Sequence, residues 1–387
     1  MLNLLRPIVR AVYPKRHPDF ASLAAAQGYQ VQEHTVQTPD GHLLTLHRVF
    51  EKEVSCQKGK PVAYFHHGLL TNSELFILGD RRDKCLPYLL LEKGYDVWLG
   101  NNRGNKYSSH ISLPESDPRY WDFSLDEFAH TDIPSIINYI LDFTSQPSLT
   151  YIGFSQGTTQ MFAAMSINED LNSKVNFFVA LSPVMIPQPL THPLIKPFVQ
   201  TPSNITKVFG SGPLLPFVNL VNKAIPLPLY KTIIDVSLGI LFNTSGANIS
   251  SKQKLAGYPY LFSVSSVKCV VHWFQIIRQQ SFHKYYKAAD SKMTDDLWEV
   301  ELFDMKNLKV PCLLVYGDAD ILVDIDKTRQ HFKQSNLDIQ TIKVSGYEHM
   351  DTLWADEVLY TVFAPVLEKI EEAHKDRVQS TAGSVFI

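Results

Sequence analysis

The sequence predicts an α/β fold, with a mostly parallel sheet, helices on both faces and an inserted, mainly helical cap. Three observations carry this. Short apolar runs rich in β-branched and aromatic residues alternate with segments long enough for a helix, the pattern of parallel strands buried on both faces. A separate pair of strand-like runs flanks the turn Pro39-Asp40-Gly41-His42. The chain holds 23 prolines against 18 glycines, and many gather in one stretch, where they break helices and forbid central strands.

Residues 1–30 read as an N-terminal segment. On a helix, Leu5, Ile8, Val9 and Val12 share one face while Arg6 and Arg10 lie elsewhere. That face suits a membrane-surface helix or a terminal helix docked on the domain. The arginines interrupt it too early for a signal-peptide core. Val31–Thr38 and Leu43–Val49 then form a β-hairpin around the P-D-G turn, because Pro presets φ and Gly accepts positive φ. Buried strands follow at Pro61–Phe65, Tyr95–Leu99, Leu149–Phe154 and Phe177–Leu181, and later at Cys312–Tyr316 and Ile339–Val344. Ser124–Phe143 has helical spacing, and Thr158–Ser166 is a helix of small residues. From Pro183 to Pro228 the chain is apolar without a sustained period. The organisation is therefore 31–182 as the first part of the core, 183–300 as the cap, 301–370 as the rest of the core and 371–387 as a tail.

Composition excludes several function classes. Hydrophobic residues make up 45% and charged residues 19%, so the chain can bury a large core. A net charge of -3 gives no footprint for nucleic acid. No run of about 20 apolar residues marks a spanning helix. Cys56, Cys85, Cys269 and Cys312 form no CxxC pair and no zinc spacing, so neither metal nor cofactor is expected. Four cysteines in so long a chain read as free thiols of an intracellular protein. The sequons at Asn204, Asn243 and Asn248 point instead to a secretory or lysosomal compartment.

The chemistry centres on Gly153-Phe154-Ser155-Gln156-Gly157, which follows a strand and opens a helix. This is the context of a nucleophile elbow. Two glycines permit a tight turn that lifts the Ser155 hydroxyl above the sheet. The helix N-terminus behind it favours the negative charge that develops in acyl transfer. A serine needs a base, and the base an orienting acid, here in the chain order Ser, acid, His. Gly317-Asp318-Ala319-Asp320 follows a late strand, and Asp318, Asp320 and Asp324 compete for the acid. Spacing leans towards Asp320 without deciding. His349 follows the last strand and is the natural base; His331 falls in a helix and His283 in the cap. The oxyanion donors are the backbone N–H groups of Gln156 and of Leu69, in the His66-His67-Gly68-Leu69-Leu70 loop. His66 and His67 read as shaping that loop rather than moving protons.

These motifs together resemble the acid lipase family of α/β-hydrolases, which includes gastric and lysosomal acid lipases and fungal steryl ester hydrolases. The resemblance rests on Thr38–Gly41, His67–Leu70, Asn101–Asn105, Tyr120–Ser124 with Asp126-Glu127, Gly153–Thr158, Gly317–Asp324 and Tyr347–Asp351, all in family order. It implies that the acid is Asp320, followed by Ile321 and Leu322, with Ser155 as nucleophile and His349 as base. Phe154, where animal members usually have His, is similar to the fungal enzymes. Those generally carry an N-terminal membrane anchor, for which the chain before the hairpin is too short, so peripheral contact with a membrane or lipid droplet is expected. The implied activity is a carboxylic ester hydrolase of lipid esters (steryl esters or triacylglycerols) working through an acyl-enzyme. An acyltransferase or a catalytically inactive lipid-binding protein are the alternatives.

Overall fold

The computed structural model describes residues 19–51, 59–214, 216, 224–287, 299–333 and 339–384. The face of Leu5, Ile8, Val9 and Val12, and Cys56, lie outside the described residues. The strands are β1 Tyr29–Gln37, β2 His42–Glu51, β3 Val62–His66, β4 Asp96–Leu99, β5 Ser108–His110, β6 Leu149–Phe154, β7 Val175–Leu181, β8 Pro213–Leu214, β9 Ser265–Ser266, β10 Cys312–Gly317 and β11 Ile339–Val344. The main sheet runs β1-β2-β4-β3-β6-β7-β10-β11, with β5 beside β2. From β4 to β11 neighbours pair in parallel; β1, β2 and β5 are the antiparallel edge. The expected hairpin is therefore present, in register from Tyr29↔Glu51 to Gln37↔Leu43.

Strands β3, β6 and β10 are buried along their whole length, which explains why they read as continuous apolar runs. Alternate residues serve opposite faces. Tyr64, Tyr151 and Leu314 join one core, with the helices Ile133–Thr144 and Gln156–Ile167. Phe65, Ile152 and Val315 join the other, with Leu86–Glu92 and the start of Ala364–Ser384. The chain adds β4 on one side of β3 and then crosses to put β6 on the other. That reversal opens a crevice at the carboxyl ends of β3 and β6, the usual ligand position in such sheets.

Several expected boundaries shift. Ser124–Phe143 is a helix interrupted by a π-helical turn at Phe128–Asp132, started by a capping box between Ser124 and Glu127. The expected tail from residue 371 begins inside the helix Ala364–Ser384. The described end of the N-terminal segment is a helix, Phe20–Ala26, capped by Asp19; its Phe20 ring stacks on His47 at 4.0 Å. Between β7 and β10 lie the helices Lys196–Gln200, Ser203–Phe209, Leu227–Phe242, Ser251–Leu261 and Val267–Gln279. Several prolines sit at the helix starts, Pro197 and Pro228 in first turns and Pro202 and Pro226 at N-caps, where the missing N–H costs nothing. Cys85, Cys269 and Cys312 are buried free thiols. Among the described residues no helix is long and apolar enough to cross a membrane.

The π-helical turn positions Asp132 against Arg103. The guanidinium, 1% exposed, bonds to Asp132 Oδ1 at 2.5 Å and to Asp40 Oδ2, in the hairpin turn, at 2.6 Å. Burial pushes the Asp40 carboxyl up, but Arg103 outweighs it and holds the group at about 2. At Asp132 burial wins and the shift is upward. Arg103→Met is expected to destabilise the fold by about 3–5 kcal/mol, because it strands Asp132 as a buried charge. Urea unfolding at pH 7 tests this; an unchanged midpoint would refute it.

Candidate active site

Ser155 follows β6 and caps the helix Gln156–Ile167 with φ 52° and ψ −122°, a left-handed backbone that a non-glycine residue adopts only when its surroundings impose it. Its N–H is fastened to Leu181 O at 3.0 Å. The flanking glycines are steric requirements. A Cβ on Gly157 would lie 2.2 Å from His66 O, and one on Gly153 would lie 2.9 Å from Gly157 C. The β3 loop and the nucleophile helix can approach this closely only because position 157 lacks a side chain.

That approach also fixes the backbone around Leu69. A Cβ on Gly68 would lie 3.0 Å from Ser155 Cβ, so the backbone leading into Leu69 runs past Ser155, and Leu69 and Gln156 both line the cavity there. His67 Nδ1–H donates to Gly68 O at 2.8 Å, and Nε2 accepts the Asn102 N–H at 3.1 Å. His66 Nε2 faces Asn102 Oδ1 at 2.7 Å and Nδ1 faces Tyr64 Oη at 2.5 Å. Both rings are buried and hydrogen-bonded within the loop, and burial pulls both imidazoles down. Asn101 fills the same role, donating to Thr45 O and accepting from Ser73 N–H and Asn105 Nδ2. The Asn101–Asn105 motif thus carries the scaffold under the loop that follows β3.

The three aspartates separate cleanly. Asp320 Oδ2 accepts from His349 Nδ1 at 2.7 Å, and Oδ1 accepts the Leu322 N–H at 2.9 Å. Its side chain is 1% exposed. Asp318 instead accepts the Gly346 N–H at 2.6 Å; that bond, with Lys343, holds its carboxyl below the usual range. Asp324 caps the helix Ile325–Phe332. His331 lies in that helix, and His283 Nδ1–H donates to Lys284 O. His349 Nε2 lies 2.8 Å from Ser155 Oγ. The turns that follow β10 and β11 meet at Gly317, where a Cβ would lie 1.9 Å from Tyr347 O.

Sequence reasoning missed three supports. Ser182, just past β7 with φ 45°, donates to His349 O at 2.8 Å; a serine following a buried strand was its only signal. Trp273 Nε1–H donates to Gln156 Oε1 at 2.7 Å, joining the helix Val267–Gln279 to the residue of one candidate oxyanion donor. Glu348 accepts from Ser245 N–H at 2.7 Å, Ser245 Oγ at 2.9 Å and Gly246 N–H at 2.7 Å.

Ser155 and His349 open into a cavity of ≈ 480 Å³. Its walls are mostly aliphatic and aromatic, with Phe198, Leu238, Phe262 and Ile277 among them. Among the described residues no group of His, Cys, Asp and Glu could hold a metal ion.

A serine, a histidine and a carboxylate in one hydrogen-bonded line, at the sheet's crevice, define the arrangement of an α/β-hydrolase. The model of the alpha/beta hydrolase fold matches residues 61–356, and that of the partial alpha/beta-hydrolase lipase region matches residues 20–80. The chain is 42% identical to the Schizosaccharomyces pombe protein named probable lipase C16A3.12c, over 90% of this chain and 79% of that one. It is 28% identical to human lipase member J, over 89% and 97% of the two chains. The fold is also that of a monoacylglycerol lipase from Paleococcus ferrophilus (TM-score 0.51, 16% identity, 89% of this chain and 99% of that one). The chain belongs to the acid lipase family of α/β-hydrolases, a family of carboxylic ester hydrolases.

Proposed function

We propose that the protein hydrolyses lipid esters through Ser155, His349 and Asp320. The hydrogen-bonded line from Ser155 Oγ through His349 to Asp320, opening on an apolar cavity, carries this reading. His349 Nε2 takes the Ser155 proton as Oγ attacks the ester carbonyl. The N–H groups of Leu69 and Gln156 hold the oxyanion. His349 then protonates the leaving alcohol, giving an acyl-enzyme, and activates the water that releases the acid. Asp320 fixes the imidazole tautomer and offsets its charge.

Residues 183–300 serve as a cap whose inner face forms the acyl pocket, which favours a long-chain ester of a sterol or glycerol over a small one. Contact with a lipid surface is supported by Leu194, Val208, Leu229 and Val236 of this segment, apolar side chains that are each more than half exposed.

The test is hydrolysis of matched oleate esters of cholesterol, glycerol and p-nitrophenol by the wild type and by Ser155→Ala, with fluorophosphonate labelling of both. The variant is expected to fold normally, to lose labelling and to fall by about 10⁶-fold in kcat. Undiminished labelling of Ser155→Ala would defeat the reading. Transfer of oleate to an added alcohol in preference to water would make the protein an acyltransferase.

A further inference from the structure

His349 sits in a turn that is held from three directions. From β10, Asp318 Oδ1 accepts the Gly346 N–H at 2.6 Å and Tyr347 O accepts the Ala319 N–H at 3.1 Å. From β7, Ser182 Oγ donates to His349 O. The third set of contacts comes from residues 245–248, between the helices Leu227–Phe242 and Ser251–Leu261. Glu348, next to the histidine, accepts the two N–H groups and one hydroxyl of Ser245 and Gly246. Asn248 Nδ2 donates to Gly346 O and to Asp351 Oδ2, each at 2.8 Å, and Asp351 Oδ2 also accepts the Glu348 N–H at 2.7 Å. These bonds fall on both sides of His349 in the chain. Contacts that only moored the inserted segment would have no reason to converge on the residues flanking the imidazole.

We propose that Glu348 and Asn248 are positioning residues for His349, through which the segment between β7 and β10 holds the imidazole in line with Ser155 Oγ. This rests on the reading of Ser155 and His349 as nucleophile and base. Multidentate bonds to a carboxylate are strong and directional, and a reacting group displaced by about 1 Å loses about 100-fold in rate. A consequence follows for the sequon at Asn248. Both hydrogens of its amide are engaged, so a glycan on Nδ2 would replace a hydrogen-bonded hydrogen and release the turn.

The experiment compares p-nitrophenyl acetate, too small to need the acyl pocket, with p-nitrophenyl oleate. Glu348→Ala and Asn248→Ala are each expected to lower kcat for both esters by the same factor, up to about 100-fold, with KM for the acetate unchanged. The rate of fluorophosphonate labelling falls in step, since it too needs the base. Glu348→Gln, which keeps one accepting oxygen and the shape, restores part of the loss and serves if Glu348→Ala does not fold. Wild-type turnover of the acetate in Glu348→Ala and Asn248→Ala, with only the KM for the oleate raised, overturns the proposal: the contacts would then shape the pocket alone. Ser155→Ala and His349→Ala run alongside. Turnover retained in those would overturn the underlying catalytic assignment; its loss there, with the Glu348 and Asn248 variants unaffected, would overturn the positioning role alone.

Discussion

Lowering the pH from 7 to 5 is expected to strip this protein of much of its stability. His47, His66, His67 and His272 are all buried. Burial pulls their imidazoles down, to about 3 for His47, His67 and His272 and to about 4 for His66. Geometry agrees at His67, whose Nε2 accepts a backbone N–H and so cannot carry a proton. In the unfolded chain the same groups bind protons near pH 6.5. Their contribution is therefore fully present above pH 6.5 and is lost as the pH falls towards 3–4. Each such imidazole contributes a slope of about 1.4 kcal/mol per pH unit in that window. Three carboxyls oppose them. Burial raises Asp126 to about 6 and raises Asp132 and Asp351, so the folded chain takes up protons at these carboxyls before the unfolded chain does and gains stability as the pH falls. Burial also pulls His42 down to about 3, so five imidazoles against three carboxyls leave a net slope of about 3 kcal/mol per pH unit, set against the 5–15 kcal/mol of a typical domain. Urea unfolding at pH 7, 6 and 5 should show the midpoint falling at each step. A midpoint that holds or rises towards pH 5 would refute the account.

The sequence was most informative where one residue type alone satisfies the geometry. Gly157 and Gly317 had to be glycine because two backbones touch there, and both stand within three residues of a candidate site residue in the chain. The buried strands β3, β6 and β10 announced themselves as apolar runs because both faces of each are covered. The order Ser155, Asp320, His349 followed from chain direction in the sheet. The choice among Asp318, Asp320 and Asp324 did not, because it depends on which loop atom meets the imidazole, a distance that spacing alone leaves open. Family resemblance pointed to Asp320, and the coordinates set the other two to work elsewhere, Asp318 on the turn after β11 and Asp324 at a helix start. The π-helical turn at Phe128–Asp132 was illegible because a helix with one extra residue keeps its apolar face. Ser182, Trp273 and Asn248 were illegible for a related reason. Each acts through one hydrogen-bonding atom across a long loop closure, and no local pattern records its partner.

Asp320→Asn is expected to lower kcat by about 10,000-fold with little change in KM, the magnitude found where an orienting aspartate is neutralised in serine hydrolases. The two carboxylate oxygens have different partners. Oδ1 is committed to the Leu322 N–H at 2.9 Å, so an asparagine must turn its oxygen there and present its NH₂ to His349 Nδ1. That nitrogen, which donated to Oδ2 at 2.7 Å, must then accept. The imidazole takes the other tautomer and carries its hydrogen on Nε2, 2.8 Å from Ser155 Oγ, where it can no longer receive the serine proton. The packing hardly changes, so the unfolding midpoint should stay near that of the wild type and the loss should appear in kcat and in the rate of fluorophosphonate labelling. Asp318→Asn and Asp324→Asn provide the contrast. Asp318 lies on the Gly346 N–H and Asp324 on the Lys327 N–H, and neither touches the imidazole, so both variants should keep their turnover. Asp320→Asn within tenfold of the wild type, or an equal loss in Asp318→Asn, would mean that the carboxylate beside His349 does not set its tautomer, and the order Ser155, His349, Asp320 would need another acid.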